Sequence, residues 1–234
     1  MKYIIRFRKT GTICYTSHLD IMKVFKRAFK RTGIRLAYSQ GFNPHPKMGF
    51  AQPLSLGYEG LEEYIEFETA ELNPDAGRMR EVLMEPLSSI MPEGLELTGI
   101  CEGSWLKKTL AAETEYAKYQ ARIPMGDAAF DPEELVKKYM LQDEILTYKK
   151  QKKKPEPVLV NIKPKIRHLS AAKDGENMIL AMELDQGSES NLSPELVITT
   201  FLEIIDRGTE RSDIDVTRSK IGFAKNIDKN FQFQ

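Results

Sequence analysis

The side chains best suited to chemistry lie between residues 17 and 50. At about 100° per residue, Lys23, Lys26, Arg27, Lys30 and Arg31 gather on one side of a helix, and Ile21, Val24, Phe25, Ala28, Phe29 and Thr32 on the other. Like charges four apart, such as Lys26 and Lys30 or Arg27 and Arg31, repel by about a few tenths of a kcal/mol. A polyanion on that face relieves the repulsion; the alternative is a solvated face, or one paired within the chain. Next comes SQGFNPHPKMGF, residues 39–50. Pro44 and Pro46 hold His45 in extended backbone, while Gly41 and Gly49 permit close approach. Phe42 or His45 could stack on an unpaired base, with Asn43 beside them and Lys47 placed for a phosphate.

His18 and His45 are the candidate catalytic residues. His18 falls in the first helical turn, where the helix dipole disfavours the imidazolium form and a neutral ring could act as a base or hydrogen-bond donor. Either histidine could serve as general base on a ribose 2′-hydroxyl, with neighbouring lysines stabilising the phosphorane charge. The remaining histidine, His168, follows Arg167, and nothing in the spacing of the three requires them to converge. No Gly-x-Ser-x-Gly, no phosphate-binding Gly-x-x-x-x-Gly-Lys-Ser/Thr and no dinucleotide fingerprint occurs. Glu62 and Glu63 sit near a strand start and read as edge or solvent residues. Cys14 and Cys101 lack metal-ligand spacing to any other cysteine or histidine, so no metal site, disulfide framework or cofactor is expected.

The 234 residues, 41% hydrophobic and 29% charged, suffice for a folded core in one or two domains. No apolar run approaches the roughly 18 residues of a membrane span, and MKYIIRFRKTG meets Arg6 and Arg8 too early for a signal peptide, so a soluble cytoplasmic protein is expected. The chain carries 34 basic and 34 acidic residues, yet residues 1–50 hold eleven basic residues against one acid, Asp20. Such asymmetry points to a polyanionic partner. Residues 59–102 are mostly acidic at their charged positions, and pairing between the two segments is the competing explanation.

The elements that would position these residues follow from periodicity and punctuation. Lys2–Lys9 reads as a strand, Ser17 caps a helix running to Thr32 before Gly33, and residues 34–38, 48–52, 62–69 and 95–101 read as strands. A second helix starts at Asn73 or Asp75 and runs to Met91. The order strand, helix, strand, strand, helix, strand is that of a ferredoxin-like sandwich. It recurs after residue 113, with strands at 115–123, 145–150, 178–184 and 214–218 and helices at 131–141 and 193–205. The expected fold is therefore α+β: two tandem ferredoxin-like (βαββαβ) sandwiches with antiparallel sheets. The N-terminal domain spans 1–103 with the basic helix and loop, 104–113 is a linker holding the only tryptophan, and 114–234 is the C-terminal domain. The latter includes a lysine-rich insertion, residues 149–157, which reads as a solvated loop or as a phosphate-binding arm.

Tyr15-x-Ser17-His18-Leu19-Asp20, Arg27-Ala28-x-x-Arg31, Ser39-x-Gly41-Phe42-Asn43-Pro44-His45-Pro46-Lys47, Leu54-x-x-Gly57 and Glu63-Tyr64 together resemble the bacterial radical SAM-linked protein family in its stand-alone form. The motifs concentrate in residues 1–70, with an echo at Val160-x-Ile162-Lys163-Pro164. The resemblance implies a domain of unknown function with a radical SAM protein as partner. This chain lacks the Cys-x-x-x-Cys-x-x-Cys needed to hold such an enzyme's cluster. The family's gene neighbourhood, near ribonuclease and ribosomal protein genes, implies an RNA-related role. The leading expectation is an RNA-binding accessory protein in RNA processing or ribosome-related metabolism, non-catalytic by itself. The alternatives are a metal-independent endoribonuclease using His18 or His45, and a protein-interaction subunit presenting substrate to a radical SAM partner.

Overall fold

Strand β1 (Lys2–Lys9) carries apolar side chains on both faces because both are covered. Tyr3, Ile5 and Phe7 enter one cluster of buried residues and Ile4 enters another. The computed structural model describes residues 1–71, 74, 76–127, 129–149, 156–205 and 208–231. Contacts divide the chain into two units, residues 1–114 with 220–234, and residues 115–219. The tail from 220 thus groups with the N-terminal unit, whereas the sequence division places it in the C-terminal domain.

In the first unit, β1 is followed by α1 (His18–Arg31), β2 (Met48–Phe50), β3 (Glu59–Glu68), α2 (Glu85–Ser88) and β4 (Leu95–Glu102). The strand order is β4-β1-β3-β2, every pairing antiparallel. Helix α1 lays Ile21, Phe25, Ala28 and Phe29 against β1 and β3, with Phe7 and Phe25 ring centroids 5.2 Å apart. The other face of the sheet is covered by Leu106, Leu110, Ile221, Ile227 and Phe231, with Trp105 packed beside them. Residues 104–113, expected as a linker, therefore contribute buried side chains and a short helix, α3 (Leu110–Glu113).

Two expected elements differ. Residues 34–38 form no strand; Leu36 and Tyr38 make isolated bridges to Thr69 and Pro46. The second helix is broken into a tight turn at Ala76–Arg78, a widened turn at Arg80–Met84 and the short α2. Pro86 has no N–H to donate and crowds the preceding turn, and just before it the Glu85 N–H reaches back five residues to the Arg80 carbonyl. The expected starts at Asn73 or Asp75 lie outside the described residues.

The second unit contains most of β5 (Thr114–Pro124), then α4 (Pro132–Met140), β6 (Leu146–Lys149), β7 (Val158–Asn161), β8 (Ile166–Asp174), β9 (Asn177–Asp185), α5 (Pro194–Ile205) and the first residues of β10 (Asp215–Phe223). Its main strand order is β10-β5-β9-β8. The expected strand at 145–150 does not join this sheet but pairs with β7 as a separate hairpin. Strand β8, not anticipated, takes the place beside β9. Tyr139 of α4 and Thr200 of α5 share a buried hydrogen bond of 2.7 Å. Of the lysine-rich insertion, residues 150–155 lie outside the described residues.

Candidate nucleic-acid interface

Helix α1 is fixed at its start by side-chain chemistry. The Ser17 Oγ accepts from the Asp20 N–H at 3.2 Å and donates to Asp20 Oδ2 at 2.7 Å. Asp20 also receives Lys23 Nζ at 2.9 Å. The hydrogen bonds from Lys23 and Ser17, reinforced by the Lys23 charge, hold the Asp20 carboxyl below its ordinary range. Upstream, the buried Lys9 sends its ammonium to the carbonyls of Cys14, at 3.1 Å, and Thr16, at 2.9 Å, tying the residues before the cap to β1. At the other end the helix stops at Thr32, and Gly33 takes a φ of 74° that disfavours other residues.

The basic face is exposed as expected, but its cations are not equivalent. Lys23 pairs with Asp20 at 2.9 Å and Lys47 with Glu68 at 2.7 Å. Among other cations of the first fifty residues, Lys2 pairs with Glu66 at 3.2 Å, Arg35 with Glu71 at 3.2 Å and Arg8 with Glu96 at 3.5 Å. The acidic segment from 59 to 102 thus offsets part of the basic one. Lys26, Arg27, Lys30 and Arg31 have no carboxylate within 4.0 Å among the described residues; Arg27 feels the Asp20 charge at longer range.

The loop around residues 39–47 is hung from the end of β3. The Ala37 N–H donates to the Glu68 carbonyl at 2.8 Å, the Glu68 N–H to Lys47 at 3.0 Å and the Lys47 N–H to Ala37 at 2.8 Å. Ser39 and His45 close its neck: the Ser39 N–H reaches the His45 carbonyl at 2.8 Å, and the His45 N–H reaches Ser39 Oγ at 2.9 Å. Beyond the neck, Gly41 has a φ of 139° and Phe42 is fully exposed, at 108%. Asn43 and His45 are also exposed.

Between α1 and the residues leading into this loop lies a groove of about 760 Å³, lined by Lys26, Arg27, Phe29, Lys30, Gly33, Ile34, Arg35, Leu36, Tyr38, Pro46 and Ala70. Its cations are basic-face residues plus Arg35, and among the described residues no acid lines it. Arg35 and Tyr38 are not among the site residues to which the sequence points. The signal available was their position between the basic helix and the loop, together with the aromatic character of Tyr38. The groove does not include Phe42, Asn43, His45, Lys47, Lys23 or Arg31.

The small cavity that His18 lines does not include His45. His18 is half-buried, its ring edge-on to Phe50 with centroids 5.0 Å apart, and shares a small cavity with Lys9, Gln52 and Glu63. Glu63 is buried rather than at a solvent edge, because it sits inside β3 beneath the start of α1. His45 stands on the exposed loop. Cys14 and Cys101 are free and buried, and burial pushes the Cys101 thiol up to about 12. No group of three or more metal-ligating side chains forms among the described residues.

A family model described as "Uncharacterized protein conserved in bacteria (DUF2344)" matches residues 2–194. The chain belongs to that family. The matched span takes in α1, the loop and the groove between them. A comparison with curated proteins finds no match. Among solved structures, a chain from the crystal structure of a Cbf5-Nop10-Gar1 complex is similar, with a TM-score of 0.50 and 11% identity over 96% of this chain. The alignment spans about half, 50%, of that chain's length, and at such identity the likeness concerns the fold, mixed α and β with antiparallel sheet. No helix among the described residues is long and apolar enough to cross a membrane.

Proposed function

We propose that the chain is an RNA-binding accessory protein whose contact surface is the basic face of α1 together with the groove beside it. The observation that carries the reading is the set Lys26, Arg27, Lys30 and Arg31, exposed and without carboxylate partners among the described residues, three of which wall a groove that no described acid lines. Cations held this way bind phosphates through counterion release, which needs no fixed geometry. Lys23 and Lys47, already paired with Asp20 and Glu68, contribute less. The polar tip at Asn43, with His45, extends the surface. The proposed setting, RNA processing or ribosome-related metabolism alongside a radical SAM protein, rests on the motif resemblance in residues 15–64. Measuring binding of a fluorescent RNA to the purified protein at low salt tests the reading; no affinity there ends it.

Each unit is further read as a ferredoxin-like sandwich. In the first, β4-β1-β3-β2 corresponds to the order of the four strands of that motif, and in the second β10-β5-β9-β8 does so once β6 and β7 are treated as an inserted hairpin.

A second reading, a subunit that docks a protein partner, is favoured by one observation: Phe42 stands fully exposed at the tip of a loop pinned at its neck. In that case co-purification with a radical SAM protein tolerates high salt and is lost in Phe42→Ala. The endoribonuclease alternative, with His18 or His45 as base, is tested by chelator-resistant RNA cleavage that disappears in His18→Ala or His45→Ala.

A further inference from the structure

We infer that the groove beside α1 holds an unpaired base, so that the interface selects single-stranded RNA over duplex, with Tyr38 rather than Phe42 as the stacking platform. The inference rests on the RNA-binding reading and adds the form of the ligand to it.

The groove has two chemistries. Lys26, Arg27 and Lys30 supply positive charge along α1, whereas Ile34, Leu36 and Tyr38 supply an apolar wall. A duplex presents phosphates and sugars outward and keeps its bases stacked inside, so it satisfies the cations and leaves the apolar wall facing water. A single strand satisfies both, because its phosphates follow the cations while a splayed base covers the wall. The volume of about 760 Å³ lies within the range of roughly 300–1,000 Å³ found for sites that enclose small organic groups.

Tyr38 is well placed for this part. The residue is 59% exposed, so a face is available, yet its backbone is held by the bridge to Pro46. Its chain neighbours are pinned as well: Ala37 accepts from the Lys47 N–H at 2.8 Å, and the Ser39 N–H donates to His45 at 2.8 Å. A ring carried on a fixed backbone loses little freedom when a base stacks on it. Phe42, beyond the Ser39–His45 neck, does not line the groove.

The test uses the full chain and two fluorescent probes of about 12 units, within the usual footprint of single-strand sites. One is a single-stranded RNA of mixed sequence and the other is its blunt duplex, each titrated against wild type, Tyr38→Ala, Tyr38→Phe and Phe42→Ala. Wild type is expected to prefer the single strand. Tyr38→Ala should weaken single-strand binding by about 10-fold, from the usual worth of one base stack, and leave duplex binding unchanged. Tyr38→Phe and Phe42→Ala should bind as wild type does. Unaltered melting of Tyr38→Ala shows that the fold is intact. Equal or tighter binding of the duplex overturns the inference, as does a loss on the single strand that follows Phe42→Ala and not Tyr38→Ala; both leave RNA binding standing. Absence of binding to either probe overturns the underlying RNA reading as well.

Discussion

Replacing Lys26, Arg27 and Lys30 together by alanine should flatten the salt dependence of RNA binding by a calculable amount. Four cations of α1 have no carboxylate within 4.0 Å among the described residues, whereas Lys23 and Lys47 are engaged by Asp20 and Glu68. For single strands, each neutralised phosphate contributes about −0.7 to the slope of log affinity against log salt. Four contacts give a slope of about −2.8, and Arg31 alone gives about −0.7. Between 50 and 200 mM salt, wild type should therefore lose about 50-fold in affinity and the triple variant only about 3-fold. Fluorescence anisotropy across a salt series measures both slopes. Folding is not at risk, since the three side chains are exposed and their removal relieves like-charge repulsion along the helix; unfolding free energy should change by less than about 0.5 kcal/mol. A triple variant with wild-type affinity and slope would refute the reasoning, because the phosphates would then lie elsewhere.

Four other outcomes probe the scaffold. Ser17→Ala should cost about 1 kcal/mol in chemical unfolding, as loss of a helix cap does. The Asp20 carboxyl is held below its ordinary range, so its contribution is present above its unfolded value of about 3.9 and fades as pH falls through the lower folded value; Asp20→Asn should reduce that acid-side loss. Phe25→Ala should cost about 3–5 kcal/mol in the same assay, since Phe25 is fully buried with Phe7 and Phe50 edge-on to it. Cys101, pushed to about 12 by burial, should resist thiol reagents at pH 8 in the folded chain and react on denaturation; fast native labelling of that residue would contradict its placement.

Local signals made the first unit readable. Ser17 and Asp20 mark the start of α1, Gly33 marks its end, and the alternation of Ile65 and Phe67 with Glu66 and Glu68 marks β3. The basic face was legible because helical spacing alone places those cations together. Which of them keep free charge was not, since Lys47 meets Glu68 and Arg35 meets Glu71 only through strand register and the return of the chain onto β3. The groove was hidden for the same reason: it needs Tyr38 and Pro46 brought beside α1 by hydrogen bonds to residues 68–70. Two misses had readable causes. Pro86 should have argued against an unbroken helix to Met91. Asp174-Gly175, followed by Glu176, is a tight-hairpin signal, with Gly175 at a φ of 60° where β8 turns into β9. The pairing of β6 with β7 outside the main sheet carried no local mark, because a short strand reads the same in either sheet.

Ultraviolet crosslinking of the protein to RNA inside cells, followed by mass spectrometric mapping of the crosslinked peptides, tests RNA binding at this interface most directly. Crosslinks should concentrate in peptides covering residues 26–47, with Tyr38 among the modified positions. Recovery of the protein without RNA, or with crosslinks confined to residues 115–219, would contradict it.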